Sequence, residues 1–288
     1  MSLADLGELA ARQLPRPTEQ TSQYLRPLKN LGIFRQQRPS AFEAAIYEPV
    51  ICLILQGRKE MVLGGESFPM RPGECLLISH DLPVLARVTK TPYLALLFDV
   101  DLDTLRDLNE SMADSPPAGP EARSLAVHAC DAKLVDALQR YLALVGAETD
   151  MAVLGPLISR EIHYRLASAP FGGMLRDLIH RHSYASAIAR AIALLRRGFR
   201  APVEIPKLAR SVGMSASSFH KHFKAITAVS PLQYRKGLQL LEARRLLRAG
   251  TLSVTAVAFD VGYESAAQFS RDYTRKFGAS PKHDIPAG

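Results

Sequence analysis

GMSASSFHKHFKAITAVSPLQYRKGLQLLEARRLLRAGTLSVTAVAFDVGYESAAQFSRDYTRKFGASP, residues 213–281, carries one short pattern twice. With the residue Ala209 just upstream, Gly213, Phe219, Phe223 and Ser230-Pro231 return as Ala258, Gly262, Phe269, Tyr273 and Ser280-Pro281. Gly213 to Gly262 is 49 residues and Phe219 to Phe269 is 50, so the second copy has one extra residue between glycine and aromatic. A fixed period of this length defines architecture before local propensity does. Each copy has the outline of a helix-turn-helix. Residues 205–212 form a short amphipathic helix with Leu208 and Val212 on one face. Ala209 marks a close helix crossing, and Gly213 takes the left-handed conformation that ends the helix. Ser215 then caps a second helix, with Phe219 and Phe223 inward and Ser217, Ser218, His220, Lys221 and Lys224 outward. In the second copy Val257, Ala258 and Val261 precede the Gly262 stop. Ser265 is the cap, Phe269 and Tyr273 face inward, and Ala266, Ala267, Gln268, Arg271 and Arg275 face outward. Two ordinary hairpins of a helical bundle would share the spacing but would not need basic outer faces.

Charge is placed unevenly. Residues 181–288 hold 18 Lys and Arg against 6 Asp and Glu, a balance of +12, while residues 1–180 hold 18 against 22, and together they give the formal +8. Such asymmetry is the electrostatic footprint of a polyanion partner. A membrane surface also attracts basic helices, but these bury their apolar faces in a compact domain, so double-stranded DNA is the expected partner. Residues 232–249 form a spacer helix between the copies, spanning roughly 27 Å at 1.5 Å per residue. Successive major grooves on one face of the duplex lie about 34 Å apart, so a rigid spacer of that order would serve two half-sites. Arg244, Arg245 and Arg248 on it either touch phosphate or lie solvated.

The order Leu-x-Glu-Ala-Arg-x-Leu-Leu, Val-Gly-Tyr-x-Ser, Phe-Ser-Arg and Phe-Gly-x-Ser-Pro resembles the DNA-binding domain of the AraC/XylS family of bacterial transcription regulators, over residues 185–284. The resemblance implies two helix-turn-helices joined by a long helix, each laying its second helix in the major groove. Carried over by position, the base-reading residues are Ser217, His220 and Lys221, then Ala266, Ala267, Gln268 and Arg271. Ser215, Lys224, Ser265, Arg275 and Lys276 are the phosphate contacts. Lys221 or Arg271 with guanine and Gln268 with adenine are chemically matched pairs. The chain departs from the family at His283-Asp284, where Tyr-Arg closes the last helix.

The remaining sequence must control this reader. The 288 residues suggest two domains, and 47% apolar residues suffice for two cores. Three cysteines, Cys52, Cys75 and Cys130, fit no zinc spacing; with no signal peptide or long apolar run, they point to a reducing cytoplasm. Residues 46–99 read as short strands punctuated by Glu48-Pro49, Gly57, Gly64-Gly65, Arg71-Pro72-Gly73 and Asp81-Leu82-Pro83. Gly64-Gly65 is a hairpin signal, and the spacing predicts a small β-barrel. The run Tyr-Glu-Pro-x-x-Cys-x-x-x-Gln-Gly-Arg-Lys, then Leu-Gly-Gly and Asp-Leu-Pro-Val, resembles the cupin-like sensor domain of one AraC/XylS subgroup.

Many cupins are metal enzymes, and that reading fails on residue inventory. Their sites need several convergent His and a carboxylate, whereas His80 stands alone in the strand region. Neither catalysis, metal nor cofactor is expected. A barrel without metal still encloses a small-molecule effector site. Its candidate residues are Arg35, Arg38, Cys52, Gln56, Arg58, Cys75, His80 and Tyr93, about half facing inward by alternation. Arg35 and Arg38 would suit an anionic effector; Cys52 and Cys75 either sense oxidants or electrophiles or fill the core. Helices are expected at 131–145, with the stripe Leu134, Leu138, Tyr141, Leu142 and Val145, and at 156–168. That stripe serves either a homodimer or the chain's own barrel. An exposed loop is expected at 109–122. The predicted organisation is therefore α+β in two domains. A helical arm (1–24), a cupin-like barrel with flanking helices (25–170) and a linker (171–184) precede an all-α reader of two helix-turn-helices (185–288). The reading is a sequence-specific transcription regulator with RNA polymerase as a further partner and no membrane role. A constitutive nucleoid-type binder would use the same basic surface without sequence preference.

Overall fold

In the computed structural model, which describes residues 2–16, 22–111, 124–180 and 183–285, the N-terminal half is built on one long hairpin. Strands β4 (Val50–Leu63) and β7 (Leu82–Asp99) pair antiparallel from Val50↔Asp99 to Val62↔Leu85. Gly57 does not end β4 but bends it, at φ 79°. A Cβ there would lie 2.4 Å from the Lys90 carbonyl oxygen, so only glycine lets the strands pass this closely. The pairing shifts register around it. Each half of the bent hairpin has its own neighbours. β2 (Leu31–Gln36) and β1 (Ser22–Leu28) extend one half beside β7, and β6 (Glu74–Ile78) and β8 (Leu125–Ala129) extend it beside β4. Beyond the bend, β3 (Glu43–Tyr47) lies on β7 and β5 (Glu66–Met70) on β4.

Alternation sorts the strand side chains into two cores. Ile51, Leu53, Cys75, Leu77, Leu94, Leu96 and Phe98 face a helical layer. Val50, Cys52, Ile54, Met61, Met70, Val84, Val88, Tyr93 and Ala95 fill the concavity where the sheet folds over. The sheet does not close into a full barrel: β1 and β8 are its hydrogen-bonded ends. The five-residue strands β3 and β5 pair on one side only, so no continuous ladder carries the register around.

The helical layer comprises α1 (Leu3–Gln13), α2 (Leu102–Ser111), α3 (Ala132–Leu142), α4 (Glu148–Ser168) and α5 (Gly172–Ile179). The α3 stripe packs on its own sheet, which settles one of its two readings. Helix α4 begins ahead of Pro156 and runs through it, because Met151 upstream and Ile158, Ile162 and Leu166 downstream share one core. The linker expected at 171–184 is largely α5. Leu175 and Ile179 are buried in the sensor core, and Gly172-Gly173 starts the helix. The loop expected at 109–122 begins as the end of α2; residues 112–123 lie outside the described residues, as do 17–21 of the arm and 181–182 of the linker.

The reader contains α6 (Tyr184–Gly198), α7 (Ile205–Ser211), α8 (Ala216–Thr227), α9 (Pro231–Ala249), α10 (Val254–Asp260) and α11 (Ala266–Phe277), then a 3-10 turn at Pro281–Asp284. Helix α9 supplies both of its cores. Tyr234 and Leu238 pack with Phe219 and Phe223, and Leu240, Ala243 and Leu247 pack with Phe269 and Tyr273. Among the described residues no helix is long and apolar enough to cross a membrane.

Candidate nucleic-acid interface and sensor site

Both motifs are made by the same local chemistry. Gly213 and Gly262 turn the chain at φ 78° and 85°. The Ser215 and Ser265 hydroxyls accept from the Ser218 and Gln268 amides, each at 3.3 Å. The extra residue of the second copy falls in the turn, which has four residues between α7 and α8 and five between α10 and α11. Phe219, Phe223, Phe269 and Tyr273 are fully buried, and this fixes the rotation of α8 and α11 about their axes. Ser217, His220, Lys221 and Lys224 are then exposed on α8, and Ala267, Arg271 and Arg275 on α11. Among the described residues Lys221, Lys224 and Arg271 carry no ion pair.

Other expected contacts are already engaged. Ala266 is half-buried against the second core. Gln268 donates to Asp272 at 3.1 Å and accepts from Arg271 at 2.7 Å, so both ends of its amide are held. Asp272, which the sequence reading missed, is the hub: it also pairs with Lys236 at 2.7 Å and with Arg275. Burial works against its carboxylate, but Lys236, Gln268 and Arg275 outweigh that and hold its pKa low. Lys276 is turned back toward α9, near Gly237, and burial lowers its pKa. That placement sets Lys276 apart from the exposed cations Lys221, Lys224, Arg271 and Arg275.

The arginines at the end of α9 have acidic partners as well. Arg244 and Arg248 reach Asp284 at 3.1 and 3.5 Å, and Arg245 reaches Glu242 at 2.8 Å. Tyr273 donates to Asp284 at 2.5 Å. The unusual Asp284 therefore serves as counter-ion to α9, holding Arg244 inward, while Arg245 and Arg248 stay largely in solvent.

On the sensor side, the concavity receives Cys52 and Tyr93, while Cys75 faces the helical layer. Burial pushes both thiols up, away from the reactive thiolate form, so the core reading of these cysteines is the better one. Arg35 donates to Gln23 at 2.8 Å and to the Pro15 carbonyl, tying β2 to β1 and to the end of the arm. Arg38, Gln56 and Arg58 are exposed. The interior cation is instead Lys59, only 7% exposed, whose Nζ donates to Tyr47 at 2.8 Å. Among the described residues no cluster of His, Cys, Asp and Glu could hold a metal.

His80 lies elsewhere, where sensor meets reader. Its Nε2 is 3.0 Å from the Ala185 carbonyl on α6. A carbonyl only accepts, so Nε2 carries the proton and Nδ1 accepts from Ser79 at 2.9 Å. Around it, Arg196 pairs with Asp81 at 2.6 Å and Glu48 at 2.7 Å, and Tyr234 donates to the Asp81 carbonyl at 3.0 Å. Burial lifts the Asp81 carboxyl above its ordinary range even with Arg196 beside it. Ser124 donates to the Ile226 carbonyl near the end of α8, and Ile46 packs into the first reader core. The β4–β5 tip completes the seam: a Cβ on Gly64 would sit 2.4 Å from that of Ala228, the residue closing α8.

Residues 27–174, just over half of the chain, match the family described as AraC-type transcriptional regulator N-terminus, and residues 208–284 match a helix-turn-helix domain. Thermoregulatory protein LcrF of Yersinia pestis is 22% identical over 233 residues, 80% of this chain and 86% of LcrF. The HTH-type transcriptional regulator CdhR of Pseudomonas aeruginosa is 31% identical over 137 residues, 47% of this chain and 38% of CdhR. The match to the activator RhaS of Escherichia coli, 34% identical, covers 36% of this chain and 37% of RhaS. The matches to CdhR and RhaS thus span well under two thirds of those relatives' lengths. In fold, the chain resembles ToxT of Vibrio cholerae bound to an unsaturated fatty acid, with TM-score 0.56 at 10% identity, covering 93% of this chain and 96% of that one. A second ToxT structure gives TM-score 0.53 at 9% identity, covering 92% and 97%.

Proposed function

The chain belongs to the AraC-type transcriptional regulators, and on that premise we propose that α8 and α11 read promoter DNA while a small-molecule effector in the folded-over sheet sets how the reader is held. One observation carries the DNA reading. Two capped helices, each locked in rotation by a buried aromatic pair, leave Lys221, Lys224 and Arg271 in solvent with no counter-ion among the described residues. Base reading falls to Ser217, His220 and Lys221 on α8 and to Ala267, Gln268 and Arg271 on α11, with Ala266 contributing least. Gln268 and Arg271 act as a linked pair, since a guanine that captures Arg271 frees the Gln268 oxygen for its neighbour. Ser215, Lys224, Ser265 and Arg275 are assigned to phosphate.

Arg271→Ala is expected to weaken binding by about 1–3 kcal/mol and to relax preference at one base position. Lys224→Ala should weaken all sequences alike and reduce the salt slope by about 1. Binding titrations on single-base operator variants at several salt concentrations separate the two. If Arg271→Ala weakens every variant equally, it belongs with the phosphate contacts. A regulator must also show a large specific-to-nonspecific ratio; a flat one returns the chain to the nucleoid-type reading.

The effector reading rests on the concave second core of the sheet and on the seam that joins this sheet to α6, α8 and α9. ToxT, of similar fold, has been crystallised with a fatty acid. A ligand bound on one side of that seam changes promoter occupancy only through differential affinity for two arrangements. RNA polymerase as a further partner, and the cytoplasm as the compartment, belong to the same proposal, and family membership supports them.

The homodimer reading has a surface in α4 rather than α3. Val153, Leu157 and Tyr164 are 63%, 63% and 46% exposed along one side of α4, and a stripe crossing a two-fold axis meets its own copy. Leu157→Asp should convert a dimer to monomer in sedimentation without changing the melting temperature. A wild-type protein that sediments as a monomer at high micromolar concentration removes this reading.

A further inference from the structure

Lys59 is a primary amine carried into the sheet with its charge unmatched. It is 7% exposed, and among the described residues it takes part in no ion pair. Its hydrogen bond goes to the Tyr47 phenol. An ammonium offers three donors, and buried charges in folded proteins are almost always paired. Beside it opens a cleft of about 90 Å³, whose lining joins Lys59 and Tyr47 to the apolar Phe34, Ala86 and Val88 and to the polar Gln36 and Ser40. Two further charges border this cleft. Arg87 is committed to Glu60 at 2.6 Å, and Glu43 is exposed and makes no ion pair with Lys59. Behind Phe34, Tyr93 stands edge-on at 5.9 Å, and among the described residues its buried hydroxyl has no hydrogen-bond partner, with the Cys52 thiol beside it.

We propose that Lys59 and Tyr47 receive the carboxylate of a small monocarboxylic acid, the effector of the regulator proposed above, whose apolar body lies along Phe34, Ala86 and Val88. The inference rests on the effector reading and gives it a chemical class. The Tyr47 oxygen accepts from Lys59, which leaves its own proton for an acid oxygen. The two carboxylate oxygens thus meet one ammonium and one phenol. The other polar residues of the lining are engaged, Gln36 with the Arg38 carbonyl, Ser40 with the Val88 amide and Arg87 with Glu60, and Glu43 repels an anion. A phosphate or a sugar would therefore bring more polar groups than Lys59 and Tyr47 can satisfy. The space is on the order of three waters' share of liquid volume, which suits an acid of a few carbons.

The test is a thermal melt of the full chain in sodium acetate, propionate, butyrate and isobutyrate, at ionic strength matched with sodium chloride, with butyramide and inorganic phosphate as controls. At least one acid should raise the melting temperature of wild type, and the amide and phosphate should not. Lys59→Met should lose that response, with affinity lowered at least tenfold. Its ligand-free melting temperature should equal or exceed that of wild type, because an unmatched buried charge has been removed. A merely structural Lys59 predicts the opposite. Should Lys59→Met fail to fold, Tyr47→Phe decides, with affinity expected to fall several-fold. No response of wild type to any of the four acids, an equal response in Lys59→Met or in Tyr47→Phe, or phosphate acting as well as the acids overturns the proposal. A non-acid from a metabolite library that stabilises wild type and Lys59→Met alike overturns it while leaving the effector reading intact. Absence of any stabilising or DNA-modulating compound removes both.

Discussion

Gly262→Ala is expected to destabilise the reader by about 2–5 kcal/mol, while the matching change Gly213→Ala costs about 1–2 kcal/mol. Both glycines stop the first helix of a motif, and both have positive φ, 85° and 78°. Any side chain at such a backbone carries the left-handed penalty. The surroundings differ. Around Gly213 nothing lies within 4 Å of an added Cβ, whereas at Gly262 that atom would sit 2.0 Å from the Arg200 carbonyl oxygen. The obstacle is backbone, and it cannot retreat freely. Arg200 donates to the Asp260 carbonyl at 3.2 Å, and Arg235 grips the neighbouring Phe199 carbonyl at 2.9 Å. Forced overpacking adds about 1–3 kcal/mol to the φ strain. Urea denaturation of both variants, followed by footprinting, checks the contrast. Gly262→Ala should also lose protection over one half-site first. Equal losses in the two variants would place the Arg200 carbonyl away from the turn.

The repeat made the reader legible. Glycines, caps and aromatic pairs are local signals, and each names its own position, so Ser215, Ser265 and the buried quartet fall where the spacing puts them. What spacing cannot report is which outward residues already have partners. Within α11, Asp272 engages Gln268 and Arg275, and between elements Asp272 pairs with Lys236 and Asp284 with Arg244 and Arg248, which the linear pattern leaves apart. A basic face read from sequence therefore overstates the charge that DNA would meet.

The sensor was harder for a definite reason. Parity arguments assume an unbroken strand, and β4 is broken at Gly57. Cys52 and Ile54 face the concavity on even numbers, but beyond the shift Lys59 and Met61 face it on odd ones. Extrapolating through the bend selects Arg58, which is in solvent, and passes over Lys59. Strand β1 carries weak edge-type alternation, and its start at Ser22 was hidden in the expected arm. The seam was invisible for a third reason: His80 and Ala185 are remote in sequence, and no motif links them.

Acid is expected to loosen that seam. His80 is 3% exposed, and burial, only partly opposed by its bond to the Ala185 carbonyl, lowers its pKa from 6.5 to about 4. The sign follows from linkage. With a depressed docked-state pKa, His80 supports docking fully above pH 6.5. That support is lost as pH falls toward 4, because only the undocked imidazole binds the proton. Each tenfold step in affinity is about 1.4 kcal/mol, so the ceiling is about 3 kcal/mol by pH 4 and about 2 kcal/mol at pH 5. Asp81 acts in the opposite sense, since its raised pKa favours docking as it protonates. The two groups therefore oppose each other as pH falls, and the His80→Gln variant isolates the His80 share. Arg196 and Tyr234, two further ionisable groups of the seam beside Glu48, stay in one form throughout, both pKa values being raised. Small-angle scattering should therefore show a larger radius of gyration at pH 5 than at pH 7.5. His80→Gln can still donate to the Ala185 carbonyl but cannot charge, and it should remain compact at both. A wild type equally compact at pH 5 and 7.5, or a His80→Gln that opens with it, would separate the seam from His80 titration. The effector would then be the only handle left on how the reader is held.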